Sequence, residues 1–329
     1  MRYIEVAGVK VSVIGLGTWQ FGSRDWGYGI SYAQKDAPAI ATAGLDMGIN
    51  LIDTAEAYSR GESERILSKV VVPRRKEVFL ATKLFPILPV NPIVAWRAHA
   101  SAARLETDYI DLYQIHWPNP AVPISQTMKA LRELQQSGLI RHIGVSNFQL
   151  SSWQRAEKAL GGVVLSNQVR YNLVSRSPEK ELIPWAQAND RLIIAYSPLA
   201  QGLLSARYSS SNRPGALRAV SSLFLPENLD KAKPLFEALD DVASSHDATP
   251  AQIALAWVIS HKNVVAIPGA SSIEQLEANV AAADIVLTPD EIVHLNEMSA
   301  AFTPSKGLVD IAHIVVNLPR TAFEWVVNK

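Results

Sequence analysis

Short apolar runs alternate with stretches of helical periodicity along most of this chain. An apolar run of about four to eight residues is typical of a buried strand, whereas apolar residues about every three to four positions are typical of one helix face. The predicted strands are Val11–Gly15, Asn50–Asp53, Val78–Thr82, Ile110–His116, Ile140–Val145, Val163–Gln168, Leu192–Tyr196 and Val264–Ile267. The predicted helices are residues 34–48, 62–70, 92–106, 124–137, 150–160, 178–189, 231–260 and 272–282.

Repeated alternation of strands and helices predicts a parallel sheet with helical crossovers. Eight such units in 329 residues predict an α/β fold of the (β/α)8 TIM-barrel type, in which active sites lie at the carboxyl ends of the strands. An open, doubly wound sheet is the alternative. The run Gly15–Gly22 lacks the dinucleotide fingerprint of that fold, because Gln20 stands where glycine or alanine is needed. With no linker or break in composition, we expect one domain over residues 1–329.

Three segments lie outside this repeat, and three capping residues mark helix starts within the chain. The first dozen residues alternate around Ala7-Gly8 and predict an N-terminal β-hairpin. Ala206–Asn228 predicts a long loop over the barrel mouth, and residues 302–329 predict an extra C-terminal segment packed on the barrel. Capping residues predict helix starts at Ser151, Thr249-Pro250 and Thr288-Pro289.

Composition narrows the class of protein. Lys plus Arg and Asp plus Glu number 31 each, so no net charge attracts nucleic acid or an anionic membrane. The chain has no cysteine, which excludes disulfides and thiolate metal sites and suits a reducing cytoplasm. Its N-terminus carries charge where a signal peptide is apolar, and no apolar stretch is long enough to span a bilayer. The histidines are scattered, so we expect no metal.

Four polar residues at predicted strand ends form a candidate catalytic group. Asp53, Lys83 and His116 each close an apolar run, and Tyr58 follows Asp53 closely. An ammonium close to a phenol favours the phenolate, so we expect Lys83 to lower the pKa of Tyr58 toward the working pH. Asp53 would keep the lysine charged, and His116 would orient the substrate oxygen. Together the four residues predict a catalytic group that transfers one proton.

These residues lie in motifs that resemble the aldo-keto reductase superfamily, nearest its bacterial and potassium-channel β-subunit branch. The similarity runs from Gly15 to about Asn279. The motifs are Asp53-x-Ala55-x-x-Tyr58, Thr82-Lys83, Gln114-Ile115-His116, Gly144-Val145-Ser146-Asn147, Tyr196–Gly202 and Ile267–Ser272. The resemblance implies a barrel that transfers hydride between a nicotinamide cofactor and a carbonyl or alcohol, with Tyr58 as proton donor or acceptor.

The resemblance also implies a cofactor site. Ser146, Asn147 and Gln168 match residues that hold the carboxamide of nicotinamide, and Tyr196 matches the aromatic residue that stacks on its ring. The full implied set is Gly17, Thr18, Trp19, Asp53, Ser146, Asn147, Gln168, Tyr196, Ser197, Pro198, Leu199, Gln201, Gly202, Arg207, Arg218, Ile267, Gly269, Ser271, Gln275 and Asn279.

The choice between the two nicotinamide cofactors depends on the adenosine end. Many members of the family have arginine at position 275 to bind the 2′-phosphate, and this chain has Gln275. The channel-subunit branch also has glutamine there, so NADP(H) is favoured and NAD(H) stays possible. Arg213 and Arg218 are candidates to supply the missing charge.

The substrate pocket and the rival functions depend on weaker patterns. The expected pocket residues are Trp19, Trp26, Tyr28, Tyr58, Phe85, His116 and Trp117, which favour a carbonyl or alcohol with an apolar portion.

The main alternative to a reductase is a nicotinamide-binding redox sensor or auxiliary subunit with little turnover. A lyase that uses Lys83 as a Schiff-base amine is a second, but it gives Asp53 and Tyr196 no shared purpose. The oligomeric state stays open.

Overall fold

The computed structural model describes residues 1–24, 28–29, 36–215, 218 and 221–305. Two compact units make up the chain. The first is formed by Met1–Pro198 with Leu255–Leu287, and the second by Leu199–Ala254 with the described residues from Thr288 onward. One domain over 1–329 stays a prediction.

Eight parallel strands of the first unit form a sheet in sequential order. Hydrogen bonds join its two edges: Gly15 N donates to Ala266 O at 2.8 Å, and Ala266 N donates to Val13 O at 2.9 Å. The sheet is therefore a closed barrel, which confirms the (β/α)8 prediction and excludes the open sheet. The strands are β3 (Leu16–Gly17), β4 (Leu51–Asp53), β5 (Phe79–Leu84), β6 (Ile110–Ile115), β7 (Ile140–Ser146), β8 (Ser166–Arg170), β9 (Leu192–Tyr196) and β10 (Val264–Ala266).

The predicted N-terminal hairpin is confirmed. Strands β1 (Tyr3–Val6) and β2 (Val9–Ser12) pair antiparallel around Ala7 and Gly8, whose φ angles of 49° and 76° are those of a tight hairpin turn. The inward valines of the hairpin share one buried cluster with barrel residues such as Leu51. The hairpin therefore closes the amino-terminal end of the barrel.

Helices follow most strands, and one predicted helix and one predicted cap need correction. The predicted helix 231–260 is two helices, because Asp247 takes a left-handed φ of 49° between them. The predicted helix 150–160 is confirmed in its bounds, but its N-cap is Gln149 and not Ser151. The starts after Thr249 and Thr288 are confirmed, and Thr288 forms a capping box with Glu291. The helices are α1 (Asp36–Asp46), α2 (Glu62–Val71), α3 (Ile93–Arg104), α4 (Ile124–Gln136), α5 (Leu150–Leu160), α6 (Leu182–Ala188), α7 (Pro226–Lys231), α8 (Lys233–Ser245), α9 (Pro250–Val258), α10 (Ile273–Ala281) and α11 (Pro289–Ala301).

The predicted first barrel strand Val11–Gly15 is wrong in its bounds. One apolar run crosses the end of the hairpin and the start of the barrel, so its pattern hides the break. The break is made by Asn50, whose side chain accepts from Ser12 N at 2.7 Å and whose own amide donates to Ser12 Oγ at 3.2 Å. The last residues of the predicted strand do lie at the barrel seam, where Ile14 forms a parallel bridge with Ala266, but the barrel strand β3 begins only at Leu16, five residues later than expected.

The long loop ends earlier than the predicted bound Asn228. Its described part contains a turn at Ser209–Asn212, a short 3-10 turn at Ser222–Phe224 and helix α7, which begins at Pro226. Proline at the first helical position loses no hydrogen bond, which explains the early start. Of the predicted C-terminal segment 302–329, residues 306–329 lie outside the described residues.

The alternation of the strands carries apolar residues to the barrel floor and polar residues to its mouth. On β5, Phe79 and Ala81 lie in the interior cluster, and Lys83 follows two positions later on the same face. On β4, Leu51 is followed in the same way by Asp53. The mouth is thus the place where side chains from different strands meet. Within the described residues, no helix is both long and apolar enough to cross a membrane.

The close contacts of barrel closure predict that two glycine-to-alanine changes lower the free energy of unfolding by different amounts. A Cβ at Gly17 would lie 2.6 Å from the backbone oxygen of Ile267, whereas at Gly162 the nearest heavy atom is Leu160 Cγ at 3.9 Å. We expect Gly17→Ala to lower the free energy of unfolding by about 1–3 kcal/mol. Gly162→Ala should change it by no more than about 0.5 kcal/mol. Urea titration measures both, and equal effects would contradict the close approach at Gly17.

Candidate active site

The ammonium of Lys83 is the centre of the polar mouth. Its side chain is fully buried, and Nζ donates to Asp53 Oδ1 at 2.5 Å, to Thr54 O at 2.9 Å and to Tyr58 Oη at 2.9 Å. An ammonium has three donors, so each has an acceptor here. Burial alone would lower the pKa of Lys83, but Asp53 and Tyr58 outweigh it and leave that pKa raised. Lys83 is therefore a fixed cation.

The second carboxylate oxygen of Asp53 is held by two amides. Gln168 Nε2 donates to Oδ2 at 2.7 Å, and Gln114 Nε2 approaches it at 3.3 Å. The backbone oxygen of Asp53 accepts from Thr18 N at 3.0 Å and from Thr18 Oγ1 at 2.9 Å. Residues of β6 and β8 thus hold Oδ2 of the carboxylate, and Thr18 holds the backbone of Asp53, which leaves Oδ1 to Lys83.

Tyr58 reaches Lys83 from a tight loop between β4 and α2. The two residues after it, Ser59 and Arg60, have φ angles of 48° and 58°, a left-handed conformation that is costly for such side chains. Burial raises the pKa of Tyr58, while the Lys83 charge opposes the rise. The expectation that Lys83 lowers this pKa is thus wrong in its net direction, because burial disfavours the phenolate more strongly. The phenol keeps its proton at neutral pH.

His116 stands beside the phenol as a neutral imidazole. Its ring meets the Tyr58 ring edge-on, with centroids 5.8 Å apart, and lies 6.2 Å from the Phe85 ring. Burial, aided by the charge of Lys83, lowers the pKa of His116 to about 3. Its buried Nδ1 has no hydrogen-bond partner among the described residues. The ring therefore acts as a neutral polar group and not as a second cation.

A second polar cluster lies at the ends of β7, β8 and β9. Ser146 Oγ donates to Gln168 O at 2.9 Å, Asn147 Nδ2 donates to Ser146 Oγ at 3.0 Å, and Tyr196 Oη donates to Asn147 Oδ1 at 2.9 Å. A partly buried aromatic ring beside hydroxyl and amide groups suits a flat ring that carries a carboxamide, because amides both donate and accept. The donor set therefore fits the nicotinamide end of a dinucleotide.

One family model matches most of the chain. The model described as the aldo/keto reductase family matches residues 13–300. The chain belongs to the aldo/keto reductase family.

Named relatives agree with this assignment. An uncharacterized oxidoreductase of Mycobacterium tuberculosis is 50% identical over 305 residues, 92% of this chain and 94% of the relative. The NADH-specific methylglyoxal reductase of Escherichia coli is 32% identical over 318 residues, 89% of this chain and 96% of that enzyme. The crystal structure of an aldo-keto reductase from Klebsiella pneumoniae in complex with NADPH is similar with a TM-score of 0.73 and 32% identity, covering 93% of this chain and 98% of that one.

The residues predicted to meet the adenosine end of the cofactor are bonded to one another. Ser271 N donates to Gln275 Oε1 at 3.0 Å, and Gln275 N donates to Ser272 Oγ at 3.3 Å. Asn279 Nδ2 donates to Gly269 O at 3.3 Å. The start of α10 is thus capped by its own side chains, so a phosphate there would have to displace Gln275 from the Ser271 amide.

The other predicted cofactor residues fall in both units. In the first, Gly17 N donates to Pro268 O at 3.1 Å, and Ser197 O accepts from Asn172 Nδ2 at 2.8 Å. In the second, Gln201 and Gly202 have left-handed φ angles of 61° and 97°. The remaining predicted residues are Trp19, Pro198 and Ile267 in the first unit and Leu199, Arg207 and Arg218 in the second. Pyrophosphate contacts stay a prediction.

The predicted substrate residues divide by exposure. Trp19 and Trp117 are half exposed, at 49% and 46%, and the Trp117 ring stacks on His116 with centroids 6.1 Å apart. Tyr28 is instead buried in the apolar cluster of Phe21, so the structure does not bring it to His116. Trp26 lies outside the described residues.

Two residues of the polar mouth were absent from the predicted site. Gln114 lies two positions before His116 on the same strand face, so the period of β6 is a signal that would have found it. Glu56, which binds the backbone of Phe85, has no such signal because its arginine partner lies 41 positions away. Among residues 1–24, 28–29, 36–215, 218 and 221–305, no group of three or more acidic or histidine side chains is placed to hold a metal ion.

The lowered pKa of His116 predicts a dependence of stability on pH. The unfolded chain binds a proton at this residue near the ordinary value of 6.5, whereas the folded chain binds it only near about 3. As pH falls from 6.5 toward 3, the free energy of unfolding therefore decreases. We expect His116→Asn to remove about 2 kcal/mol of the loss between about pH 7 and pH 5. Denaturant titrations at several pH values measure the slope.

Exposed His99 supplies the control, because the same substitution there removes an imidazole from the surface. His99→Asn should keep the wild-type slope. A His116→Asn protein that loses stability with acid as steeply as the wild type would contradict the neutral assignment.

Proposed function

We propose that this chain is a nicotinamide-dependent carbonyl reductase that also runs in reverse as an alcohol dehydrogenase. The observation that carries the proposal is the buried Lys83 ammonium, hydrogen-bonded to Tyr58 Oη at 2.9 Å and paired with Asp53 at 2.5 Å. This arrangement stabilises a phenolate at the moment when it forms. The absence of cysteine suits the cytoplasm, where we propose that the enzyme works.

The proton step follows from the charges of the mouth. When bound, the reduced nicotinamide supplies the hydride that goes to the carbonyl carbon. Tyr58 gives its phenolic proton to the carbonyl oxygen, and Lys83 balances the charge left on Oη. Neutral His116 positions that oxygen by a hydrogen bond without adding charge. In the reverse direction, the phenolate takes the proton of the alcohol.

We propose small aldehydes and ketones with an apolar portion as substrates. The half-exposed rings of Trp19 and Trp117 and the ring of Phe85 beside His116 support an aromatic wall near the reacting oxygen. The relative named a methylglyoxal reductase makes short 2-oxoaldehydes the first compounds to test.

We propose NADPH as the preferred cofactor, with NADH as the rival. The Klebsiella pneumoniae relative of known structure contains NADPH, while the Escherichia coli relative is named as NADH-specific. Gln275 brings no charge to the adenosine end, and its Oε1 accepts from Ser271 N. The residue at this position is therefore the natural place to test cofactor choice.

Removal of one hydroxyl tests the proton donor. Tyr58→Phe keeps the ring but removes the proton, so kcat should fall by about a hundredfold or more, while NADPH binding measured by fluorescence titration stays near the wild-type value. Tyr3→Phe is the control, because it removes the same hydroxyl from a hairpin tyrosine, whose Oη donates one hydrogen bond to Gly48 O at 2.7 Å.

Two outcomes would count against the proposal. Full activity of Tyr58→Phe would remove Tyr58 as the proton donor. If the wild type turns over a panel of aldehydes and alcohols no faster than background with either cofactor, a nicotinamide-binding redox sensor is favoured.

A positive charge at position 275 should increase the preference for NADPH over NADH. Gln275→Arg frees the Ser271 amide and adds a charge-assisted donor, so we expect the NADPH dissociation constant to fall about tenfold. The NADH constant should change by less than about twofold, since NADH lacks the 2′-phosphate. Gln126→Arg on the exposed face of α4 makes the same change of charge elsewhere. Parallel changes for both cofactors would exclude Gln275 from the 2′-phosphate site.

A further inference from the structure

A buried ion pair lies directly beside the loop that carries Tyr58. Glu56 and Arg97 are 8% and 2% exposed, with Arg97 Nη2 at 2.9 Å from Glu56 Oε1 and Arg97 Nε at 3.1 Å from Oε2. Burial raises the pKa of Glu56, and the Arg97 charge opposes the rise. A carboxylate and a guanidinium held in this two-point geometry have little freedom to move.

The same carboxylate is bonded to the end of strand β5. Phe85 N donates to Glu56 Oε1 at 2.6 Å. Phe85 follows Lys83 by two positions, and Glu56 precedes Tyr58 by two positions. One side chain therefore joins the segment that carries the phenol to the segment that carries the ammonium.

The loop has local reasons to need this connection. Tyr58 is followed by Ser59 and Arg60 in left-handed conformations, with φ angles of 48° and 58°. Such residues persist only where surrounding contacts hold them. The Tyr58–Lys83 hydrogen bond of 2.9 Å therefore depends on how firmly this segment is tied to β5.

A similar clamp holds the other end of β5. Asp111 Oδ2 accepts from Leu80 N at 3.0 Å and pairs with Arg75 Nη2 at 2.6 Å. Asp111 and Glu56 thus each join a backbone amide to an arginine, at Leu80 within β5 and at Phe85 directly after it. Asp111 lies near the amino-terminal ends of the strands, away from the mouth, so it offers a matched comparison.

We infer that Glu56, held by Arg97, is a positioning residue that sets the distance and orientation of Tyr58 Oη relative to Lys83 Nζ. Glu56 does not touch the reacting atoms. The inference rests on the proposed proton donor, because it assigns Glu56 a function through Tyr58. A misplacement of about 1 Å can cost a hundredfold in rate, so loss of this connection should lower kcat strongly.

The experiment compares Glu56→Ala with Asp111→Ala in the full chain. We expect Glu56→Ala to lower kcat by about tenfold to a hundredfold. The NADPH dissociation constant should stay within about twofold of the wild-type value, since Glu56 does not lie in the proposed cofactor site. Asp111→Ala should lose stability without losing kcat per folded molecule. Glu56→Gln keeps an oxygen for the Phe85 amide and should recover part of the lost kcat.

A further pair of variants separates this inference from the proposed function. If Glu56 acts through Tyr58, Glu56→Ala should have no added effect on the residual rate of Tyr58→Phe. An active Tyr58→Phe enzyme would instead reject the proton donor itself. Equal losses of kcat in Glu56→Ala and Asp111→Ala, or wild-type kcat in Glu56→Ala, would overturn the positioning role.

If Glu56→Ala fails to fold, a double variant that replaces both charges of the Glu56–Arg97 pair tests the same inference. Glu56→Leu with Arg97→Met leaves no unpaired buried charge, and such double replacements often keep stability. This protein should fold, bind NADPH and show the same loss of kcat as Glu56→Ala. A folded double variant with wild-type kcat would refute the inference.

Discussion

The buried ammonium of Lys83 is the constraint around which the mouth of this barrel is organised. A charge without water is costly unless each donor finds an acceptor, and Lys83 obtains its acceptors from Asp53, Thr54 and Tyr58. Those three residues belong to one strand end and the loop after it. The register of β4 against β5 is therefore coupled to the chemistry, because a shift by one residue would turn Lys83 out of the barrel.

Burial and this charge together set the state of the neighbouring groups. Burial, aided by Lys83, lowers the pKa of His116, so the pocket holds one cation where two basic side chains lie close together. The phenol of Tyr58 is also neutral because of burial, which outweighs the attraction of the ammonium. A neutral acid, a neutral imidazole and a fixed cation give each group a separate task. Gln168, bonded to Asp53, links this trio to the cluster of Tyr196.

Much of this arrangement could be predicted from the sequence, because strand ends reveal themselves locally. Asp53, Lys83 and His116 each close an apolar run, and alternation with period two predicts that they face inward. Burial and long-range contacts leave no such local pattern. The pKa direction of Tyr58 depends on what surrounds it, the core position of Tyr28 depends on α1 and α2 packing around it, and the break within the predicted helix 231–260 depends on one left-handed residue, Asp247.

Two layers of charge around β5 then have different effects. The inner layer, Asp53 and Lys83, sets which groups are ionised, whereas the outer pair, Glu56 and Arg97, holds the backbone of the segment that bears Tyr58. Ionisation depends steeply on burial, and proton transfer depends steeply on distance. Because different residues control the two quantities, a change in the outer layer can alter the rate without altering the charge state of the mouth. The buried pair of Glu56 and Arg97 can therefore act on the reaction through the backbone that it holds.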